Sequence, residues 1–357
     1  MKLSYNWLKS YIDVDKTPSE LCKVLTGIGL EVAGMEEVES IKGGLAGVFI
    51  GEVVTCEPHP NSDHLSKTTV SIGSGEPLPI ICGAPNVAAG QKVVVATVGT
   101  TLYQGDESLT IKKAKIRGEL SEGMICSEVE TGLGQDSDGI MVLPATAKVG
   151  MRASDYFHIE SDWVIEIDIT PNRIDSASHL GVARDLAAFF RKELPGGYHR
   201  PSVEAFAADN HQLTIPVEVV NPEACPRYSG VTLSGVEIKE SPAWLQNTLR
   251  AIGLTPINNV VDVTNFVQFE TNQPLHAFDA DEISGGKVIV KTLPAGTKFT
   301  TLDGAERTLD GADLMICNTE EGMCIGGVFG GIQSGVKLTT TNIFLESACF
   351  DPVFIRK

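Results

Sequence analysis

The run Gly253–Asp279, G-L-T-P-I-N-N-V-V-D-V-T-N-F-V-Q-F-E-T-N-Q-P-L-H-A-F-D, constrains this chain more than any other stretch. It is apolar enough to be buried, yet it carries Asp262, Thr264, Asn265, Gln273 and His276. A buried polar group costs free energy unless it finds a partner. Several of them in one apolar segment call for a polar pocket set into a core, or for a hydrogen-bond network that only holds the fold together. On the residues alone both readings stand.

Around that run, 357 residues allow two or three domains with separate cores. A hydrophobic share of 42% and a charged share of 21% describe an ordinary globular chain. No stretch approaches the ~20 apolar residues of a membrane span. The opening M-K-L-S-Y-N-W-L-K-S-Y-I-D lacks the apolar core of a signal peptide, so a cytoplasmic protein is expected. The net charge of −18 argues against a general nucleic-acid binder, so any RNA contact must come from a local basic patch. None of the eight cysteines forms a C-x-x-C pair, and Cys56 with His59 lacks a second ligand pair, so no metal site is expected. Scattered and mostly apolar-flanked, they read as buried free thiols of a reducing compartment.

Taken in order, residues 1–39 predict a small helical start. Ser4 can cap a short helix presenting Trp7, Leu8 and Tyr11, and Thr17-Pro18-Ser19-Glu20 is a capping box before Leu21, Val24, Leu25 and Ile28. Residues 40–147 change to short β-rich runs separated by Gly, Pro and Asn turns, the pattern of a small barrel. Strand alternation over I-K-K-A-K-I-R-G would place Lys113, Lys115 and Arg117 on one face. That stripe reads either as an RNA-backbone platform or as a solvated edge strand. Residues 148–200 return to mixed α/β, with a strand Asp162–Ile169, Asp175 as a helix cap, and Leu180, Ala183, Leu186, Ala187 and Phe190 on one helix face. Residues 196–210 read as a linker. The last domain, 211–357, carries a helix capped by Ser241, a glycine-rich turn at Gly326-Gly327-Val328-Phe329-Gly330-Gly331, and Glu346 at the end of the apolar strand N-I-F-L-E. By alternation a lone Glu346 can also face solvent.

V-V-D-V-T-N-F-V…Q-P-L-H-A-F-D closely resembles a signature of the bacterial phenylalanyl-tRNA synthetase beta subunit. Thr271-Asn272 stands where that family usually has Gly, and Phe266 where Tyr is common. H-P-N-S-D-H-L, C-G-A-P-N-V and K-I-R-G…G-M-I-C-S resemble its tRNA-binding module, and T-P-N-R-I-D…G-V-A-R resembles the close of its N-terminal domain. The resemblance implies a multidomain α+β protein: an OB-fold β-barrel (40–147) inserted in a small discontinuous α/β N-terminal domain (1–39 plus 148–200), then a mixed α/β editing domain (211–357). Lys112, Lys113, Lys115, Arg117 and Asn61 are then the expected tRNA contacts.

In that family the last domain hydrolyses mischarged tyrosyl-tRNA. Carried over, Glu346 and a backbone group of the Gly326-Gly327 turn would grip the tyrosine para-hydroxyl, while His276, Asn265 and Thr264 would hold the ester end, the amino group or the attacking water. No carboxylate near His276 in sequence is an obvious orienter, so a simple general-base role is not expected of it. The resemblance further implies that amino-acid activation, with ATP and Mg2+, lies on an alpha subunit partnered in a heterotetramer of two alpha and two beta chains. This chain itself is expected to need no cofactor, and to be an N-terminal piece of a longer subunit. The competing expectation is a non-catalytic tRNA-binding and assembly module, in which His276, Asn265 and Glu346 need not converge. A stand-alone hydrolase is disfavoured by the lack of a G-x-S-x-G elbow or metal cluster.

Overall fold

A computed structural model describes residues 1–357 except Gly105, Asp106, Gln135, His158, Glu160 and Lys357. The chain forms two compact units, one made of Met1–Glu36 with Val164–Lys357 and the other of Glu37–Trp163.

In the first unit, Ser4 caps the helix Tyr5–Lys9 by accepting from the Trp7 amide at 2.9 Å. The capping box closes on both sides at Pro18–Gly27, where Thr17 and Glu20 exchange bonds. Leu3, Leu8, Leu21, Leu25, Ile165 and Leu186 build one core, and Ile252, Phe266 and Phe269 from further along the chain join it. Each fully buried Leu or Ile contributes about 1.5–3 kcal/mol, which explains why residues on both sides of the 196–210 stretch belong to one body. His179 is the polar centre of that core. Its Nε2 accepts from the Ser4 amide at 3.0 Å, its Nδ1 donates to the Phe269 carbonyl at 2.9 Å, and its ring stacks on Trp7 with centroids 3.9 Å apart. Burial pushes its pKa down to about 4, so it is neutral.

Two local expectations give way here. Ser178, not Asp175, caps the helix His179–Phe189; Asp175 is instead held in ion pairs by Arg173 and Arg184. Ser241 does not cap the helix Ala243–Ala251, because its hydroxyl donates to the buried Asp262 at 2.5 Å. In both cases a charged partner outcompetes the backbone amide.

Two facing sheets form the core of the later part of this unit. One has three antiparallel strands in the order Arg227–Ser234, Asn342–Cys349, His276–Asp279. The other runs Val217–Val219, Val288–Thr292, Leu314–Cys317, Gly322–Ile325, Phe329–Gly330. Phe278 and Phe344 from the first meet Val288, Ile316, Met323 and Cys324 from the second in a common core.

The second unit is an antiparallel sheet ordered Gly123–Ile125, Lys92–Thr97, Val48–Pro58, Ser66–Ser71, Leu78–Cys82. Val94 and Ala96 point into one core, and Val93 and Val95 into another. Burial on both faces is why the run K-V-V-V-A-T lacks alternation. The sheet curls so that the Glu122 amide donates to the Pro79 carbonyl at 2.8 Å and the Ile81 amide to Ser121 Oγ at 3.2 Å. This nearly closes it into a barrel. The unit extends to Trp163 because Met151, Tyr156 and Phe157 pack on the barrel core.

Candidate functional site

The polar run of the sequence divides between two elements. Asn259–Thr271 is a helix whose Asn258 cap accepts from Val260 and Val261. His276–Asp279 is a strand. Asp262 spends both carboxylate oxygens inside the fold, accepting from Ser241 Oγ and from the Ile257 amide at 2.8 Å. The Thr264 hydroxyl donates to the Val261 carbonyl at 2.7 Å. Gln273 donates to the Ala348 carbonyl at 3.1 Å and so ties the strand's start to its neighbour. Part of the run is therefore a structural network.

His276 behaves differently. Its strand pairs with Asn342–Cys349 in a register that sets His276 directly opposite Glu346. Residues opposed across antiparallel strands share a face, with Cβ atoms about 4.5–5.5 Å apart. The same row continues to Gly230, also opposite Glu346. Two pairs along, on the same face, Phe344 lies opposite Phe278, and the Phe278 ring meets the imidazole edge-on with centroids 4.5 Å apart. Glu346 is 6% exposed, so alternation turns it into the inter-sheet space rather than into solvent.

Four buried side-chain polar atoms find no hydrogen-bond partner among the described residues: Ser40 Oγ, Tyr228 Oη, His276 Nε2 and Glu346 Oε2. Three of the four lie on this one face. Burial raises the Glu346 carboxyl to about 7, and the neighbouring Tyr228 hydroxyl works against that rise. Burial pushes His276 down to about 4, leaving it neutral at physiological pH. The Cys324 thiol is pushed well up by burial and by Glu346. Three buried polar atoms without partners thus share one face of an otherwise apolar core.

The glycine-rich turn contributes through Gly330. A Cβ there would stand 2.8 Å from His276 Cε1, so the imidazole lies against bare backbone. Gly326 and Gly327 are placed beside Phe350; Gly327 takes φ +69, which favours glycine. The helix bearing Thr264 and Asn265 sends Val260 onto Ala277, Ile343 and Leu345, which alternate to the opposite face of the sheet. Asn265 is half-buried and its side chain makes no hydrogen bond among the described residues, so no side-chain bond ties it or Thr264 to the His276–Glu346 pair. Tyr228 and Gly330 had no individual signal in the sequence, because only strand register brings them to the pair. A separate cavity of about 480 Å³, lined by Pro294, Phe299, Asn318, Gln333 and Ser334 among others, includes neither His276 nor Glu346.

In the second unit the strand expected over Lys112–Arg117 is only Ala114–Ile116. Arg117 sits at φ +47 in a turn, which ends the alternation before the stripe is complete. Lys113 is ion-paired with Glu122. Lys112, Lys115 and Arg117 are exposed and have no ion-pair partner among the described residues. Arg117 donates to the Asn61 carbonyl at 3.0 Å, and the Asn61 amide donates to Nδ1 of the buried His59 at 3.0 Å. Asn61 is thus held by its backbone while its side chain remains exposed.

Among the described residues no group of His, Cys, Asp and Glu could hold a metal ion, and no helix is long and apolar enough to cross a membrane.

Two family models match the chain: a putative tRNA binding domain over residues 48–152 and a B3/4 domain over residues 224–357. The phenylalanine–tRNA ligase beta subunit of Bacteroides fragilis is 62% identical over 358 residues, covering 100% of this chain and 44% of that protein. Its counterpart in Porphyromonas gingivalis is 56% identical with the same coverage. Among solved structures, an N-terminal fragment of the phenylalanyl-tRNA synthetase beta subunit from Pyrococcus horikoshii is 14% identical over 55% of this chain and 58% of that one, with a TM-score of 0.32. The chain spans 44% of the length of the curated relatives it matches, and over that span it belongs to the phenylalanine–tRNA ligase beta-subunit family.

Proposed function

We propose that this chain is the tRNA-holding and proofreading part of a phenylalanine–tRNA ligase, and that the His276–Glu346 face hydrolyses tyrosyl-tRNA(Phe). The observation that carries this reading is the convergence of unmatched buried polar atoms on one face, with His276 and Glu346 directly opposed. In this reading activation of phenylalanine, with ATP and Mg2+, falls to an alpha subunit in a two-alpha, two-beta assembly. The barrel unit is read as an OB-fold holding the tRNA through Lys112, Lys113, Lys115, Arg117 and Asn61. The 211–357 region is read as the editing domain.

The selectivity follows from hydrogen-bond accounting. A synthetic pocket shaped for phenylalanine rejects an isostere that merely adds a hydroxyl by only about a hundredfold. At Glu346 the preference reverses. The tyrosine hydroxyl donates to the ionised carboxylate and supplies the partner that Glu346 Oε2 lacks. Phenylalanine leaves the carboxyl unmatched, at about 1–3 kcal/mol or more for a charged group. His276, directly opposite Glu346, is the polar group that would meet the ester end of a tyrosyl group whose phenol reaches the carboxyl.

Hydrolysis adds the water oxygen to the ester carbonyl carbon and breaks that carbon's bond to the ribose oxygen. One water proton ends on the ribose oxygen; the other leaves with the new carboxyl group and is released to solvent when that group ionises. With its pKa near 4, His276 is a weak base, so its part is to orient water or ester through Nε2. Thr264 and Asn265 are proposed for the ester end, and the Gly326-Gly327 turn for the phenol.

Timed deacylation of tyrosyl- and phenylalanyl-tRNA by the complete two-subunit enzyme tests this. Glu346→Gln is expected to slow the first and spare the second. An unchanged tyrosyl rate would remove Glu346 from recognition, and an unchanged rate in His276→Ala would remove His276 from the mechanism.

A further inference from the structure

One polar group on this face has no part in the reading so far. Tyr228 lies on the edge strand Arg227–Ser234, opposite Ala348 and one diagonal step from Glu346. Diagonal neighbours on a sheet face are within reach of an aromatic side chain. The residue directly across from Glu346 on that strand is Gly230, which itself puts no side chain beside the carboxyl; the Phe344 ring lies over it, 2.2 Å from where a Cβ would stand. The Tyr228 hydroxyl is buried and makes no completed hydrogen bond, yet it lies close enough to Glu346 that each perturbs the other's ionisation. A phenylalanine would give the same apolar contact with the core without a buried hydroxyl. The cost of that hydroxyl is offset only when it is bonded, and the acceptor beside it is Glu346.

We propose that Tyr228 is a positioning residue of this site: its hydroxyl engages one side of the Glu346 carboxyl and leaves the other side for the hydroxyl of the bound amino acid. The inference rests on reading the His276–Glu346 face as a deacylation site. The titratable groups around the carboxyl are Tyr228 on its own sheet, His276 opposite, Cys324 from the facing sheet, and Cys225 before the edge strand. Of these, Tyr228 is the one whose hydroxyl favours the ionised carboxyl. Its removal therefore shifts Glu346 toward the neutral acid.

The test is Tyr228→Phe in the complete two-subunit enzyme, with kcat and KM for tyrosyl-tRNA(Phe) deacylation measured from pH 6 to 9. The expected result is a drop in kcat/KM of about tenfold near pH 7, carried by KM, with the pH midpoint moved upward and activity partly regained at high pH. Urea unfolding of the same variant over the same range gives a readout free of activity: the midpoint of its pH-dependent stability should move upward too. Unchanged midpoints in both measurements would overturn the proposal. So would an equal loss of tyrosyl and phenylalanyl turnover with no shift, which is what a purely structural tyrosine gives. Glu346→Gln measured alongside separates the two failures. If it leaves tyrosyl deacylation intact, the site reading falls; if it abolishes deacylation while Tyr228→Phe leaves the midpoints in place, only the role of Tyr228 falls.

Discussion

Replacing Glu346 by Gln should alter how stability depends on pH, whatever it does to activity. The carboxyl is 6% exposed and burial raises it from 4.5 to about 7. At about 1.4 kcal/mol per tenfold, the ionised form is disfavoured in the folded state by about 3 kcal/mol. The sign follows from proton uptake. Between pH 4.5 and 7 the folded carboxyl holds its proton while the unfolded one has released it, so stability falls as pH rises. Below pH 4.5 the group contributes no such penalty, and above 7 the penalty is complete. The side-chain amide that Glu346→Gln introduces does not titrate. Urea unfolding at a series of pH values from about 4.5 to 8 should therefore show the difference between variant and wild type growing by about 3 kcal/mol in favour of the variant. The constant cost of burying an amide drops out of that comparison, as do the shared contributions of the histidines. Parallel stability curves would mean that the carboxyl is solvated in the folded state, and the account of its role would fail with it. In the deacylation assay, loss of a hydrogen bond to a charged group, about 1.5–3 kcal/mol, corresponds to a ten- to hundredfold drop in kcat/KM for tyrosyl-tRNA.

Three further outcomes are expected. His179 is held neutral with its pKa near 4, so its contribution is present above about 6.5 and is lost as pH falls toward 4; His179→Ala, which orphans the Ser4 amide and the Phe269 carbonyl, should cost more than about 3 kcal/mol in urea unfolding at pH 7. Gly330→Ala places a methyl 2.8 Å from the imidazole, so tyrosyl-tRNA deacylation should slow while the thermal midpoint falls by only the equivalent of about 1–3 kcal/mol. Lys112→Ala and Lys115→Ala should each weaken tRNA binding and lower the salt slope of log K by about 0.7–0.9 per lost phosphate contact, whereas Lys113→Ala, already paired with Glu122, should do less; equal slopes for all three in a salt titration would refute the assignment.

Several local features were legible in the residues because their causes are local. The Thr17–Glu20 capping box and the Ser4 cap depend on groups three positions apart. The apolar face Leu180, Ala183, Leu186 and Ala187 is buried along one helix. Where a distant partner competed, local reasoning failed. Asp175 was claimed by Arg173 and Arg184, and Ser241 by Asp262, so neither was left to cap a helix. The lysine stripe ended early because Arg117 turned to φ +47, where its guanidinium reaches Asn61, 56 positions away.

The sequence by itself determined which chemistry is present. It placed an imidazole in a mostly apolar run and a carboxyl at the end of an apolar strand, set further polar residues inside that run, and carried the motifs of a tRNA-handling family. Only the tertiary structure decided which of those groups meet. Alternation along one strand leaves Glu346 free to face water or the core, and nothing local selects between them. Pairing of His276–Asp279 with Asn342–Cys349 selects, because a slip of one residue would turn Phe278 and Phe344 out of the inter-sheet core along with it. The burial of two aromatic rings therefore fixes the register, and the register brings His276, Glu346, Tyr228 and Gly330 together.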